Sequence, residues 1–158
     1  TIKIFEKIIG SDLKLFFNNQ SYQKNLKKII RYKKKFIFYF LLVYPNIKCA
    51  TKVIYSSLKK NKKVSRLFEY KNIRSQTNFM KLIIQDCNDL QETVEKKHPV
   101  IKGIISSIKN QNGCKISRLT GSGSVCFGLF QSKKTANSAL YKIKRKFPDY
   151  WSIVTKTI

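Results

Sequence analysis

Arg118-Leu119-Thr120-Gly121-Ser122-Gly123-Ser124-Val125-Cys126-Phe127 is the stretch on which the reading of this chain turns. Gly121 and Gly123 stand between two apolar runs, with hydroxyl residues at 120, 122 and 124. Small residues let backbone N–H groups turn toward one point, and such a turn can cradle an anion. A plain hairpin turn with conveniently placed hydroxyls accounts for the same spacing. On either side, Cys114–Leu119 alternates as a strand does, and Val125–Phe130 has strand length and composition, so the loop joins two neighbouring strands.

Working outward toward the C-terminus, Ser132 is placed to cap a helix over 133–147, with Ala136, Ala139, Leu140, Ile143 and Phe147 at helical spacing. Pro148-Asp149 breaks that helix, and Trp151 to Val154 reads as a last strand. Toward the N-terminus, Pro99 opens a helix carrying Ile101, Ile104, Ile105 and Ile108, which Asn112-Gly113 closes. Residues 76–97 are helical with a break near Asn88, and Asn88-Asp89-Leu90-Gln91-Glu92 suits a helix start. Phe36 to Tyr44 is a nine-residue apolar run of strand composition, ended by Pro45-Asn46. Thr51 is placed to cap a helix bearing Val53, Ile54 and Leu58. Residues 59–75 read as loop or surface helix, and Lys24 to Lys35 as basic and irregular. Ile2, Phe5, Ile8 and Ile9 fit the last turns of a helix stopped at Gly10. Short antiparallel strands beside helices make an α+β sandwich.

The formal charge of +25 raises the prospect of nucleic acid or an anionic membrane surface. Three features argue against it. Of the 33 basic residues 28 are Lys, whereas base readout and bidentate phosphate contacts favour Arg. AT-rich codons encode Lys, Asn, Ile, Phe and Tyr, so a biased genome can produce this composition with no selection for binding. The lysines are also spread along the whole chain, the densest groups, 33–35 and 59–63, falling at expected element ends. No apolar run approaches the roughly 20 residues of a membrane-spanning helix. Residues 1–12 do not read as a signal peptide. Cys49, Cys87, Cys114 and Cys126 contain no C-x-x-C pair, and His98 is not spaced to complete a zinc set. The four read as buried free thiols of a reducing compartment.

The run from Arg118 to Phe127 is similar to the third GHMP-kinase motif as it stands in the 4-diphosphocytidyl-2-C-methyl-D-erythritol kinase family, and the likeness continues through Gly128-Leu129-Phe130 to the Trp151 strand. In that family the loop lies between the acceptor substrate and the nucleotide phosphates, so the resemblance implies substrate-side roles for Thr120, Gly121, Ser122, Gly123 and Ser124. Gly10-Ser11-Asp12-Leu13 resembles the family's Gly-Ala/Ser-Asp-Val-Pro turn, with Lys14 where the family has Pro. The resemblance makes Asp12 the catalytic carboxylate, and in-line phosphoryl transfer uses such a group to orient or deprotonate the attacking hydroxyl. Leu41 to Asn46, followed by Ala50-Thr51-Lys52-Val53-Ile54-Tyr55, resembles the Val-Asn-Pro-Gly strand end and Ser-Thr-x-x-Val-Phe/Tyr helix start, which implies that Tyr55 stacks on a cytosine ring. Asn25-Leu26-Lys27-Lys28 departs from the family's Gly-x-Gly-Glu turn.

The resemblance implies an α+β GHMP-kinase C-terminal domain over 36–158, a small antiparallel sheet packed against helices, preceded by the tail end of an N-terminal kinase domain over 1–35. It implies an ATP-dependent kinase acting on the 2-hydroxyl of 4-diphosphocytidyl-2-C-methyl-D-erythritol in non-mevalonate isoprenoid-precursor synthesis, cytoplasmic in a bacterium or stromal in a plastid. ATP and Mg²⁺ are the implied co-substrate and metal. Neither G-x-x-x-x-G-K-[S/T] nor the family's Pro-x-x-x-Gly-Leu-Gly-Gly-Ser-Ser loop occurs in these residues. Most ATP and Mg²⁺ ligands are therefore expected on a preceding half, and the isolated chain is expected to be catalytically inactive, which measurable ATP turnover would contradict. The rival expectations are a basic nucleic-acid-binding module, whose affinity falls steeply with salt, and an inactive remnant of the kinase.

Overall fold

Tyr39–Tyr44 (β3) alternates buried and half-buried side chains, the pattern of a strand with both faces covered to different extents. The computed structural model describes residues 15, 17, 20–25, 28–32, 35–57, 73 and 75–157. Asp12, the expected helix over residues 2–9 and most of the 59–75 segment lie outside them.

β3 sits inside a four-stranded antiparallel sheet with Cys114–Leu119 (β4), Cys126–Phe130 (β5) and Trp151–Lys156 (β6), in the order β4-β5-β3-β6. Leu41 stands opposite Gly128 on one side and Val154 on the other, and Val43 opposite Cys126 and Ser152. In β4, Leu119 faces Cys126 and Arg118 faces Phe127. Residues paired across strands share a face. One face therefore carries Leu41, Val43, Leu119, Cys126 and Phe130, and the other carries Leu42, Arg118, Phe127 and Ile153.

The first face is covered by helices. Thr51–Ser56 (α1) follows β3, with Pro45 buried and Asn46 at φ 57° making the turn between them. Gln76–Gln85 (α2) and Gln91–Lys97 (α3) flank the break at Asn88, and Pro99–Lys109 (α4) begins directly after His98, which closes α3 and opens α4. Proline at N1 is pre-set for a helix start. Ile101, Ile104, Ile105 and Ile108 form an i, i+3, i+4, i+7 stripe on α4, and all four are buried against the sheet. Each contributes roughly 1.5–3 kcal/mol of burial. Gly128 lets α4 settle this close, because a Cβ there would collide with Ile108 Cγ2. Lys133–Lys146 (α5) buries Ala136, Ala139 and Ile143, and its cap is Ser132, whose hydroxyl accepts from the Thr135 N–H at 3.2 Å. Lys144, Arg145 and Lys146 fill the last turn of α5, where cations suit the helix dipole.

The second face is covered at one end only, where α2 brings Met80, Phe79 and Ile83 onto Phe36, Phe38, Ile116 and Leu129. The other end opens toward Phe127 and Ile153. Three expectations need correction. Lys24–Lys35 is not irregular throughout: Ser21–Asn25 (β1) and Lys28–Arg31 (β2) pair as an antiparallel hairpin. Thr51 does not cap α1; the cap position is Ala50, with no side-chain bond. Of the four cysteines expected to be buried only Cys126 is: Cys87 is exposed, because the chain leaves α2 at Gln85, Cys49 and Cys114 are half-buried, and all four thiols are free.

Candidate functional site

The loop between β4 and β5 is tied down from several sides. Thr120 N–H donates to Val125 O at 2.9 Å, and Gly123 N–H donates to Thr120 O at 2.9 Å. Gly121 and Gly123 take φ of 49° and 89°, in the left-handed region that glycine enters freely. Gly123 is also crowded, since a Cβ there would lie 3.1 Å from Leu119 Cδ1. Ser124 is buried and donates its hydroxyl to Ile47 O at 2.6 Å, fastening the loop to the segment that follows β3. Ser122 Oγ lies 2.9 Å from Thr51 Oγ1, fastening it to the start of α1. Asn88 fastens it to the start of α3, donating Nδ2 to Leu119 O at 2.9 Å and to Gly121 O at 2.8 Å. Gln91 Oε1 accepts from Leu119 N–H at 3.1 Å.

Beside this loop lies a cleft of about 490 Å³ lined by Tyr55, Cys87, Asn88, Asp89, Leu90, Arg118, Leu119, Thr120, Gly121 and Phe127. Tyr55 and the glycine loop, 65 residues apart, thus border one cavity. Tyr55 is 57% exposed, with its ring free of the core that holds Ile54 of the same helix. Phe127 and Arg118 enter the same cavity because the register puts them opposite each other on the uncovered face. One arm of Arg118 donates to Ile84 O at 3.0 Å. The cleft pairs an aromatic side with a polar side of amide, guanidinium and backbone groups, the make-up of a pocket for a ring joined to an anion. The Cys87 thiol is held above its ordinary range, chiefly by desolvation and then by the charge of Asp89, to which it also donates a hydrogen bond at 3.6 Å. It is therefore not an activated nucleophile. Among the described residues no group of three or more His, Cys, Asp or Glu comes together to hold a metal.

Of the expected site residues, Tyr55, Thr120 and Gly121 border the cleft, while Ser122, Gly123 and Ser124 complete the loop behind it. Asp12 lies outside the described residues. In the sequence Asn88 and Gln91 suit only a helix start, and Arg118 and Phe127 carry no mark of a site role. The short loop between two neighbouring strands is the signal that sets Arg118 opposite Phe127 and so puts those two on one face.

The family model for the GHMP kinases C terminal domain matches residues 70–149, half of the chain. The chain belongs to the GHMP kinase family. This GHMP kinase chain is 33% identical over 136 residues to the 4-diphosphocytidyl-2-C-methyl-D-erythritol kinase of Pelagibacter ubique, an overlap of 82% of this chain and 45% of that enzyme. It is 38% identical over 84 residues to the enzyme of the same name from a Wolbachia of Drosophila simulans, covering 53% of this chain and 29% of the relative. The chain thus spans less than half the length of the curated relatives it matches. A crystal structure of 4-(cytidine 5'-diphospho)-2C-methyl-D-erythritol kinase superposes with a TM-score of 0.71 at 14% identity, over 100% of this chain and 57% of that one. Homoserine kinase from Cytophaga hutchinsonii superposes with a TM-score of 0.68 at 15% identity, over 90% of this chain and 49% of that one. Those two likenesses establish the fold of this GHMP kinase chain.

Proposed function

We propose that the chain forms the acceptor-substrate side of an ATP-dependent kinase that phosphorylates the 2-hydroxyl of 4-diphosphocytidyl-2-C-methyl-D-erythritol, a step of non-mevalonate isoprenoid-precursor synthesis. The observation that carries this reading is the shared cleft of Tyr55 and the Thr120–Gly121 turn. A cytosine on Tyr55 gains stacking, and the diphosphate extends toward Arg118 and the loop N–H groups. Relatives bearing that enzyme's name, at 33% and 38% identity, support the same substrate.

In this reading Asp12 aligns the acceptor hydroxyl or takes its proton, and ATP supplies the phosphoryl group. The described residues do not by themselves make a Mg²⁺ site, since Asp89 is the one carboxylate bordering the cleft. No step is therefore assigned to the metal. We place the domain boundary near residue 35, where the β1–β2 hairpin ends and the chain enters the four-stranded sheet. The basic surface is a solvated one in this account: described lysines are exposed on every helix and on β2, β4 and β6, with no single stripe. No helix among the described residues is long and apolar enough to cross a membrane.

Calorimetric titration of the chain with 4-diphosphocytidyl-2-C-methyl-D-erythritol, and with its uridine counterpart, tests the proposal. Saturable binding that prefers the cytidine compound is expected. Equal binding of both, or tighter binding of a nucleic acid whose affinity collapses with salt, would overturn it.

A further inference from the structure

Asn88 makes three hydrogen bonds with one carboxamide. Nδ2 donates to the carbonyls of Leu119 and Gly121, and Oδ1 accepts from the Leu90 N–H at 3.0 Å. The orientation of the amide follows from its partners: turned over, its oxygen would face two carbonyls and its NH₂ would face an N–H. A peptide group is planar and trans in the ordinary case, so its carbonyl and the following N–H point in opposite directions. With Leu119 O drawn to Asn88, the Thr120 N–H points the other way and meets Val125 O. With Gly121 O drawn to Asn88, the Ser122 N–H likewise points away from Asn88. There it bonds to nothing among the described residues, and neither does the Gly121 N–H, whose own peptide carbonyl, Thr120 O, is taken by Gly123. Two consecutive backbone N–H groups are thus left as unspent donors, while the carbonyls of their peptides are held.

We propose that Asn88 is the positioning residue of the glycine loop. It fixes the Gly121–Ser122 peptide so that the N–H groups of Gly121 and Ser122 are presented to a phosphate. Consecutive N–H groups of this kind form anion-binding concavities. The identity of the anion rests on the kinase reading above; the hold of Asn88 on the loop does not. Because two donors are required, Asn88→Asp is the informative change. It keeps the shape of the side chain and the acceptor for Leu90, yet sets oxygen against both loop carbonyls. A role in filling space predicts that Asn88→Asp is milder than Asn88→Ala. Positioning by donation predicts the reverse order.

The test uses ¹⁵N amide spectra of the full 158-residue chain without ligand. In the wild type both carboxamide protons of Asn88 should exchange slowly with solvent. In Asn88→Asp the Gly121, Ser122 and Gly123 signals should move at least as far as in Asn88→Ala, while the Leu90 signal stays near its wild-type place in Asn88→Asp alone. Fast exchange in the wild type, or loop signals unmoved in Asn88→Asp, overturns the proposal, and the wild-type measurement stands even if a variant fails to fold. A second reading comes from titration with 4-diphosphocytidyl-2-C-methyl-D-erythritol. Affinity should fall roughly tenfold or more in Asn88→Asp, measured at a temperature where the variant is still folded. Equal affinity counts against Asn88. Absence of binding by the wild type counts against the kinase reading, and the ligand-free spectra then decide Asn88.

Discussion

The hydroxyls of Thr51 and Ser122 lie 2.9 Å apart although 71 residues separate them in the chain. Thr51 stands where a helix-capping residue is expected, yet its side chain is spent on the glycine loop and Ala50 takes the cap position. Ser132, by contrast, does cap its helix. The two residues should therefore respond differently to the same change. Ser132→Ala should cost about 1 kcal/mol of stability in urea unfolding. Thr51→Ala should stay within about 0.5 kcal/mol, as exposed sites do, while shifting the Ser122 amide signal.

Gly128 and Ile108 are coupled through the gap that a Cβ would fill. Gly128→Ala should destabilise by about 1–3 kcal/mol through overpacking. Ile108→Ala should cost about 2–5 kcal/mol through the cavity it leaves. Combined, they should cost less than the sum, by about 0.5–3 kcal/mol of coupling, because the deleted side chain is the one the new methyl meets. Strict additivity in a double-mutant cycle would place α4 farther from β5.

Cys87 is exposed, but its thiol is held above the ordinary value by desolvation and then by Asp89. A raised pKa means less thiolate at neutral pH, so iodoacetamide should modify Cys87 more slowly than a free thiol near pH 8, the rate still climbing above pH 9. Asp89→Asn removes a negative charge that favours the thiol while keeping an oxygen acceptor, and should speed the reaction. Cys126, whose burial pushes it up to about 12, should stay unmodified until the chain unfolds. Mass spectrometry of the alkylated chain checks both statements.

Tyr55 has its ring in solvent, so its removal costs the fold little. Tyr55→Ala should leave urea unfolding within about 0.5 kcal/mol of wild type. It should weaken binding of the cytidine compound by about 1–3 kcal/mol, roughly 5- to 150-fold. Tyr55→Phe should bind nearly as well as wild type, since stacking uses the ring and not the hydroxyl.

What could be read from the sequence is what repeats along it. The isoleucines of α4 and the alanines and Ile143 of α5 follow a helical period, and each falls where that period puts it. In β4 the expected alternation is interrupted: Ile116 and Leu119 are buried on opposite faces, and the register shifts between Cys114 and Ile116. Breaks were legible at Pro99, Gly113 and Pro148 because those residues restrict or free the backbone. The β1–β2 hairpin escaped notice because lysines hide any alternation there, and its register shifts between Gln23 and Asn25. The site was legible only in part. Tyr55 and the glycine loop could be singled out, but a hydroxyl or carboxamide carries no mark of whether it serves its neighbours or a distant loop. Thr51 and Asn88 both suit a helix start by type, and both spend their side chains on the loop before β5.

The most direct test of the central claim is an amide chemical-shift map of the chain titrated with 4-diphosphocytidyl-2-C-methyl-D-erythritol at low and high salt. Saturable shifts confined to Tyr55, the Asn88–Leu90 turn, Arg118 and the Gly121–Gly123 loop, largely preserved as salt rises, are expected. Shifts scattered over the lysine-bearing helices and lost in salt, with the cleft unmoved, would contradict that claim.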